Sequence, residues 1–146
     1  MIIRTATEND LPDILRLYSQ PGMDDGKVLT SDSAEDIFAK MKTYPDYSVY
    51  VAEVDGKVVG TFGLLIMDNL AHMGSKSAVV EDVVVSPSSQ RKGVGKRMMQ
   101  YAMEVSQAKS CYKVSLSSNV KRKDAHELYK NLGFKIHGYS FLVELE

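Results

Sequence analysis

A cluster of cations around two glycines is the part of this chain whose residue types and spacing most directly indicate chemistry. The run is Gln90-Arg91-Lys92-Gly93-Val94-Gly95-Lys96-Arg97, and it follows a valine-rich segment that ends at Pro87. Glycine lets a ligand approach the backbone closely, and a helix that begins here would present unpaired N–H groups and the positive end of its dipole. With the four surrounding cationic side chains, the pattern predicts a binding site for a polyphosphate anion.

Two familiar phosphate-binding motifs do not fit this run. A Walker A loop requires glycine where Gln90 stands and serine or threonine where Arg97 stands. A dinucleotide-binding fingerprint requires a third glycine at the position of Met98, inside a βαβ unit that this chain does not show. The other alternative is a glycine-containing loop that binds nothing, which explains the glycines but not the cations around them.

The residues on either side of the run predict the elements that position it. Val79–Val85 contains five valines, and β-branched side chains favour a buried strand, which Pro87 ends. After Gly95 the apolar residues recur at helical spacing as far as Ala108. The run is therefore the loop between a strand and the first turn of a helix.

The rest of the chain reads as an α+β domain without repeats or linkers, and its length indicates a single domain, residues 1–146. An Asp55-Gly56 turn joins two of the predicted strands. Helices are predicted after a Thr7 cap, from near Ser33 and from Asp124. The other predicted strands are Ile2–Thr5, Ser48–Val54, Lys57–Met67, Tyr112–Ser118, Phe134–Ile136 and Tyr139–Leu145.

Composition excludes several classes of function. The net charge of −1 gives no general electrostatic reason to expect nucleic acid or an acidic membrane as a partner. The single Cys111 excludes an internal disulfide and a cysteine-based zinc site, and no other cluster of metal ligands is evident, so no metal is expected. Without a signal peptide or an apolar run of membrane-spanning length, a cytoplasmic location is expected.

The glycine loop and its preceding strand resemble a known family. Gln90-x-x-Gly93-x-Gly95, entered from Glu81-Asp82-Val83-Val84-Val85, is similar to the acyl-coenzyme A pyrophosphate loop of the GCN5-related N-acetyltransferase (GNAT) family. A second match runs from Asn119 to Phe134, so the resemblance covers essentially the whole chain. It implies a GNAT fold, with a mixed, mostly antiparallel twisted sheet of six to seven strands, splayed at the central strand, and about four helices. It also implies acetyl-CoA as the acetyl donor.

The resemblance assigns the acetyl-CoA contacts to two parts of the chain. Residues 90–97 would hold the pyrophosphate, and a backbone N–H of Val83, Val84 or Val85 would polarise the thioester carbonyl. Asn119 would hydrogen-bond the pantetheine arm, although an asparagine at this position is also an ordinary turn residue.

The resemblance also suggests an acid and a base. Glu81 and Asp82 are the candidate bases, and adjacent strand residues point to opposite faces, so only one is expected to face the acceptor. The resemblance favours Glu81, acting through a water, and the alternative role for Glu81 is a carboxylate that only attracts the amine. Tyr129 is the candidate acid for the departing thiolate, and its alternative role is core packing, since it lies on the apolar stripe of its helix.

Further residues are candidates for contacting the acceptor. Asp24 and Asp25 lie in the segment that overhangs the acceptor site in the resembled family, and Asp82 and His72 lie on its acceptor side. Solvated loop residues are the alternative reading for Asp24, Asp25 and His72.

The acceptor itself stays open at the level of sequence. The run from Asn119 to His126 is similar to one in aminoalkylphosphonate N-acetyltransferases, whereas the strand and loop resemble glucosamine-phosphate N-acetyltransferases. An N-acetyltransferase of a small primary amine is the leading hypothesis. The alternatives are a protein N-terminal or lysine acetyltransferase and a coenzyme A-binding module without catalysis. A homodimer through Tyr139–Leu145, as in relatives, is expected, with a monomer as the alternative.

Overall fold

The computed structural model describes residues 1–145 and shows an α+β fold built on one sheet. The strands are in the order β1-β2-β3-β4-β5 across the sheet; the first three pairings are antiparallel, and β4 and β5 are parallel. Within the described residues, the strands are β1 Ile2–Thr5, β2 Tyr47–Val54, β3 Lys57–Met67, β4 Lys76–Val85 and β5 Cys111–Leu116, and the α-helices are α1 Leu11–Tyr18, α2 Ser31–Met41, α3 Val94–Ala108 and α4 Lys123–Asn131. The predicted α+β order with four helices is confirmed within the described residues.

The chain divides into two compact units. The first, Met1–Leu116, contains the whole sheet and α1 to α3, and the second begins at Ser117 and contains α4. The interpretation of the chain as a single domain stays a prediction.

The two faces of the sheet in the first unit are covered by different helices. On one face Ile14 and Leu17 of α1 and Phe38 of α2 form a buried cluster with Val51. Neighbouring strand residues face opposite sides, and Tyr50 accordingly packs against Tyr101 of α3, with ring centroids 5.5 Å apart. The sheet is therefore the middle layer, with α1 and α2 on one face and α3 on the other.

Close packing of α3 explains one glycine of β3. A Cβ added at Gly60 would lie 2.7 Å from Met98 Sδ and 3.3 Å from Val94 Cγ1. Val94 and Met98 are both buried. The start of α3 is thus pressed against the centre of the sheet, and this contact fixes where the glycine loop stands.

The chain enters α1 through a short 3-10 turn, Glu8–Asp10, whose N-cap is the predicted Thr7, and Asp10 closes a capping box with it. The Asp10 carboxylate accepts the Thr7 backbone N–H at 2.7 Å and two bonds from the Arg4 guanidinium, at 2.7 and 2.8 Å. Arg4 also pairs with Glu53 at 3.1 Å. The Arg4 ion pair lowers the pKa of Asp10 to about 2, so this buried carboxylate is ionised at neutral pH.

The prediction of six to seven strands is wrong for the described residues, in which the sheet has five. Phe134–Ile136 and Tyr139–Leu145 form no strand. An alternating apolar segment becomes a strand only when a neighbour supplies ladder hydrogen bonds and cover, and this segment has neither within residues 1–145. Its large apolar side chains are exposed: Ile136, Tyr139, Phe141, Leu142, Val143 and Leu145.

Candidate functional site

The loop between β4 and α3 is tied to the end of the strand that precedes it. The Gln90 Nε2 donates to the Val85 carbonyl at 3.2 Å. Arg91 and Gly93 both have left-handed backbones, with φ of 61° and 83°. Two left-handed residues so close together turn the chain sharply, and Gly93 does so without steric cost. Gln90 therefore shapes the loop.

The first turn of α3 has the features that an anion requires. The first helical hydrogen bond is donated by the Arg97 N–H to the Gly93 carbonyl at 3.0 Å. The N–H groups of Val94, Gly95 and Lys96 precede it, so they are the donors that a helix start leaves without an intrahelical partner. The position of a Cβ on Gly93 lies in open space, with no atom within 4 Å. The cradle fits a pyrophosphate group bound to the backbone.

The side chains around this turn differ in their availability. Arg91, Lys92 and Lys96 are exposed. Arg97 instead pairs with Glu104 at 3.0 Å and lies over the ring of Tyr101. The cationic field at the loop therefore depends mainly on the exposed Lys92 and Lys96.

Val94 can contribute only its backbone N–H to anion binding, since its side chain is 3% exposed and belongs to the core.

The middle of β4 contains a β-bulge. Thr61 pairs with Val84 and Gly63 with Glu81, so Asp82 and Val83 together lie opposite Phe62. Asp82 has a φ of 52°, in the left-handed region that aspartate tolerates better than most residues. A bulge interrupts the alternation of side chains between the two faces of a strand. The expectation that only one of Glu81 and Asp82 faces the acceptor depended on that alternation.

Two tyrosines from other elements lie beside the bulge. The Tyr47 ring covers Gly63, where an added Cβ would lie 3.3 Å from Tyr47 Cε2 and 3.7 Å from the Glu81 carbonyl. Burial, followed by the charges of Asp82 and Glu81, raises the pKa of Tyr47. Both carboxylates therefore act on the same phenol.

Tyr18, the last residue of α1, is the second phenol. Burial, and then the charge of Asp82, raise the pKa of Tyr18, and a hydrogen bond with Thr61 opposes this increase. Thr61 is fully buried and precedes the residue opposite the bulge. Tyr18 is thus a neutral phenol that connects α1 with the bulge.

Asp82 lacks a compensating charge. Partial burial of its carboxylate, and then the charge of Asp24, raise the pKa of Asp82. Its carboxylate forms no hydrogen bond or ion pair with another residue of the described chain. The Asp24 backbone N–H donates to the Tyr18 carbonyl at 3.0 Å, which holds the Asp24 loop near the end of α1. Two like charges therefore act on each other here.

Two other acceptor candidates have structural partners. The Asp25 carboxylate accepts the Gly22 N–H at 2.7 Å, and Asp25 has a φ of 50°, so its side chain shapes the turn. The ring of His72 packs on Tyr112 of β5 with centroids 4.6 Å apart. The structure does not bring His72 together with Asp82 in any interaction among residues 1–145.

The candidate oxyanion donors differ in direction. The Ser86 N–H donates to the Val59 carbonyl at 2.7 Å, toward β3. Backbone groups of successive residues in an antiparallel strand alternate in direction, so those of Val85 face away from β3 and those of Val84 face it. The ladder between β4 and β5 ends at Val80 and Leu116, so β5 does not cover this edge of β4.

The second unit contains the remaining predicted residues. The Asn119 Oδ1 accepts the Lys121 N–H at 2.9 Å, as expected for a turn asparagine, which leaves its amide N–H groups to contact a ligand. Tyr129 is 7% exposed and packs against Phe134. Burial raises the pKa of Tyr129, with Arg122 opposing, so its phenol stays protonated at neutral pH. The Ser118 hydroxyl is buried without a hydrogen-bond partner in the described chain.

Sequence reasoning did not identify Tyr18 and Tyr47 as site residues. Tyr18 occupies the apolar stripe of its helix, and nothing in the local sequence around Tyr47 indicates a site. Only the register of β2, β3 and β4 brings Tyr47 to the bulge. The one available signal was the pair of glycines in β3, Gly60 and Gly63, because glycine in a strand often indicates a close approach.

Searches for a metal site and a membrane span complete the description. In the part of the chain that the structure covers, no group of three or more His, Cys, Asp or Glu residues is arranged to hold a metal ion. None of the helices within residues 1–145 combines the length and hydropathy needed to cross a membrane.

Comparison with known proteins agrees with the geometry. A sequence model of the acetyltransferase (GNAT) family matches residues 11–134. A putative acetyltransferase from Agrobacterium tumefaciens is 31% identical and has a TM-score of 0.92, over 99% of this chain and 100% of that one.

Two curated relatives are named for phosphorus-containing amines. A glucosamine 6-phosphate N-acetyltransferase from Trypanosoma brucei brucei is 34% identical over 97 residues, which is 66% of this chain and 64% of the relative. An aminoalkylphosphonate N-acetyltransferase from Salmonella typhimurium is 27% identical over 143 residues, which is 98% of this chain and 90% of the relative. The chain thus spans a little under two thirds of the first relative and most of the second.

Proposed function

The chain belongs to the GNAT family of acetyltransferases, and we propose that it transfers an acetyl group from acetyl-CoA to the primary amine of a small molecule by direct attack. One observation supports the proposal most strongly: the anion cradle at the start of α3 directly follows the strand that contains Glu81 and Asp82. In the proposal, donor binding and proton removal therefore use one continuous segment of the chain. The chain has a single cysteine, Cys111, which is compatible with the reducing cytoplasm as its compartment.

The reaction has three chemical requirements. The ammonium form of the acceptor loses a proton, and the neutral nitrogen then bonds to the acetyl carbon. The carbon–sulfur bond breaks, a second proton leaves the nitrogen, and the thiolate takes up one proton. The net products are an N-acetyl amine, coenzyme A and one proton.

The pyrophosphate contacts belong to the N–H groups of the first turn of α3. Lys92 and Lys96 add charge there. For the oxyanion we favour the N–H of Val85, because it faces away from β3 whereas the N–H of Val84 faces β3. Val83 lies in the bulge and stays a candidate. A backbone donor of this type lowers the barrier because it is already oriented toward the developing charge.

The base is a carboxylate of β4. Glu81 is the choice that the resemblance favours, with a water between it and the amine. Asp82 is the second candidate because its raised pKa makes its carboxylate a stronger base than an ordinary aspartate. We expect Glu81→Gln to lower turnover and to remove the acidic limb of the pH–rate profile. An unchanged profile in that variant would assign the limb to Asp82, which Asp82→Asn then tests.

The acid is Tyr129 by resemblance, and the protonated state of its phenol supports this role. A neutral phenol can hydrogen-bond the sulfur and then donate its proton to the departing thiolate.

A thiol-release assay against a panel of amines tests the proposed function. We expect release of coenzyme A from acetyl-CoA with one or more small primary amines. Release only with peptides bearing a free N-terminus or a lysine would instead identify a protein acetyltransferase. Calorimetric binding of acetyl-CoA without release for any acceptor would identify a non-catalytic module, and no binding at all would contradict the proposal.

We also propose that the chain is a homodimer through its final segment. The apolar side chains of Tyr139–Leu145 are exposed in the single chain, and burying them against a second copy would stabilise the dimer. Light scattering after size exclusion should give twice the chain mass, and a variant truncated after Gly138 should be monomeric. A monomeric full-length chain would exclude this interface.

A further inference from the structure

The strand β5 has one open edge. It pairs with β4 at the border of the five-stranded sheet, and no other segment among residues 1–145 forms a backbone ladder with it. Residues along a strand direct their N–H and C=O groups to the two edges in alternation. Every second residue of Cys111–Leu116 therefore offers a donor and an acceptor at the open edge, which makes this edge a template for a further strand.

The final segment, Tyr139–Leu145, has the alternation of a half-buried strand but lacks a strand beside it. Its alternating apolar residues are Tyr139, Phe141, Val143 and Leu145. Both aromatic side chains among them are 91% exposed. The Ser117 hydroxyl donates to Ser140 Oγ at 3.4 Å, a long contact between exposed side chains that leaves these apolar residues uncovered. The single chain thus contains an open edge and an uncovered segment of similar length.

The charges of β5 and the final segment are complementary. Cys111–Leu116 contains one charged residue, Lys113, and Tyr139–Leu145 contains one, Glu144. An antiparallel pairing with Lys113 opposite Glu144 brings the apolar residues of both strands to one face, where directly opposite residues stabilise each other. The pairs on that face are Tyr112 with Leu145, Val114 with Val143 and Leu116 with Phe141. A parallel pairing through the same two charges would leave Phe141 beyond the start of β5.

Resting on the proposed homodimer, we propose that Tyr139–Leu145 of a second copy adds to the open edge of β5 as an antiparallel strand, with Glu144 opposite Lys113. Each copy has both the edge and the segment, so a reciprocal exchange closes as a two-fold dimer. The main-chain hydrogen bonds supply affinity, and the alternating side chains supply specificity.

The area available agrees with a stable dimer. Tyr139 and Phe141 of the two copies would alone bury about 600–1,000 Å² of side-chain surface, and a standard interface buries about 1,600 Å² in total. The backbone of the added strands and the smaller apolar residues contribute the rest.

A disulfide between two different chains tests the exchange and its register. One chain has Cys111→Ser with Lys113→Cys, and the other has Cys111→Ser with Glu144→Cys, so each has a single cysteine. Directly opposite residues of antiparallel strands have Cα atoms about 4.5–5.5 Å apart, within disulfide range. After co-expression and mild oxidation, we expect a covalent dimer of one chain of each kind on a non-reducing gel. Each chain expressed alone should remain uncrosslinked.

A chain with its cysteine out of register is the matched control. Ser140→Cys replaces Glu144→Cys in the second chain and lies four residues away, which is about 13 Å along a strand. This combination should give no covalent dimer. Equal cross-linking through Ser140→Cys would overturn the register.

The result with both cysteines in one chain distinguishes exchange from folding back. If Lys113→Cys and Glu144→Cys, again with Cys111→Ser, close an internal disulfide in a monomer, the segment covers the β5 of its own chain and the exchange is overturned. We expect covalent dimers from this variant instead.

Light scattering of the wild type separates this inference from the homodimer on which it rests. A monomeric wild type would contradict both. A wild-type dimer without the covalent product would keep the homodimer and overturn the β5 edge as its surface. Thiol release from the wild type is measured separately, so a failure of acetyl transfer is distinguishable from either result.

Reversal of the two charges provides a second measurement without cysteines. Lys113→Glu and Glu144→Lys each place like charges opposite one another, and we expect either to raise the dimer dissociation constant about 3- to 30-fold in equilibrium sedimentation. The double variant should return to within about 3-fold of the wild type, because it restores the pair. Lys57→Glu, at the start of β3, is the matched control and should have no effect. Additive losses in the double variant would overturn the pairing of Lys113 with Glu144.

Discussion

The two ends of the segment from β4 to α3 carry groups of opposite charge and are built in different ways. At the α3 end, backbone N–H groups form the candidate anion site, and exposed lysines add positive charge around it. At the bulge, side chains from three separate parts of the chain, Tyr18, Tyr47 and Asp82, meet at one place.

This difference shows how local and long-range structure contribute to the site. A helix start offers its N–H groups whatever side chains it carries, and charge around it acts over several ångströms in solvent. The bulge instead requires a strand register, a glycine beneath a tyrosine ring and a loop held to α1. We expect charge changes to dominate at the first end and small displacements to matter at the second.

The largest effect is expected from reversing charge at the α3 end alone. Lys92→Glu combined with Lys96→Glu should weaken acetyl-CoA binding by roughly 100-fold or more, because charged hydrogen bonds contribute about 1.5–3 kcal/mol each. Calorimetry measures this loss, and the thermal melt should change little, since both side chains are exposed. Lys57→Glu, in β3, is the control, and equal weakening there would indicate a general charge effect.

In the proposed reaction, the proton for the departing thiolate comes from Tyr129 and not from either end of the segment. The next prediction concerns this residue. Tyr129→Phe preserves the packing against Phe134 and removes only the hydroxyl. We expect kcat to fall roughly 100-fold, in the range of general acid catalysis. Tyr101→Phe, on α3, is the matched control. Full activity of Tyr129→Phe in a steady-state assay would make Tyr129 a packing residue.

The paired and unpaired aspartates should respond oppositely to loss of charge. The folded-state pKa of Asp10, about 2, is lower than its ordinary 3.8, so its stabilisation is present above pH 4 and is lost as pH falls from 4 to 2. Asp10→Asn should cost roughly 2 kcal/mol at pH 7 and flatten that acid dependence, measured by urea unfolding.

Asp82→Asn should show the reverse sign. The folded-state pKa of Asp82 is raised, so its ionised form opposes folding above that pKa. The variant should unfold at the same or a higher urea concentration than the wild type at pH 7. A clear loss of stability would mean that Asp82 has a structural role.

The smallest effect is expected from a displacement at the bulge. A Cβ at Gly63 would lie 3.3 Å from Tyr47 Cε2, so Gly63→Ala should shift that ring by a few tenths of an ångström. We expect kcat/KM for the amine to fall roughly 3- to 10-fold, because misplacement at a site reduces rate steeply. The affinity for acetyl-CoA should not change, and a parallel loss of both would show that the two ends are not independent.

Most elements in the first unit follow from local sequence. The valines of β4, the turn at Asp55-Gly56 and the apolar stripe of α3 each have one favoured local conformation, and the structure contains all three. The final segment was predicted as strand from the same kind of pattern, and it was wrong because a strand also depends on a partner that local sequence does not specify.

The sequence by itself determined the anion cradle, since two glycines, a helix start and exposed cations are local properties of residues 90–97. Tertiary structure alone decided the candidate acceptor side, since the bulge at Asp82 follows from how β3 and β4 align, and Tyr18 and Tyr47 reach it from α1 and β2. The physical reason is range: backbone conformation and helix dipoles act within a few residues, whereas the packing of side chains depends on the register of strands far apart in the chain.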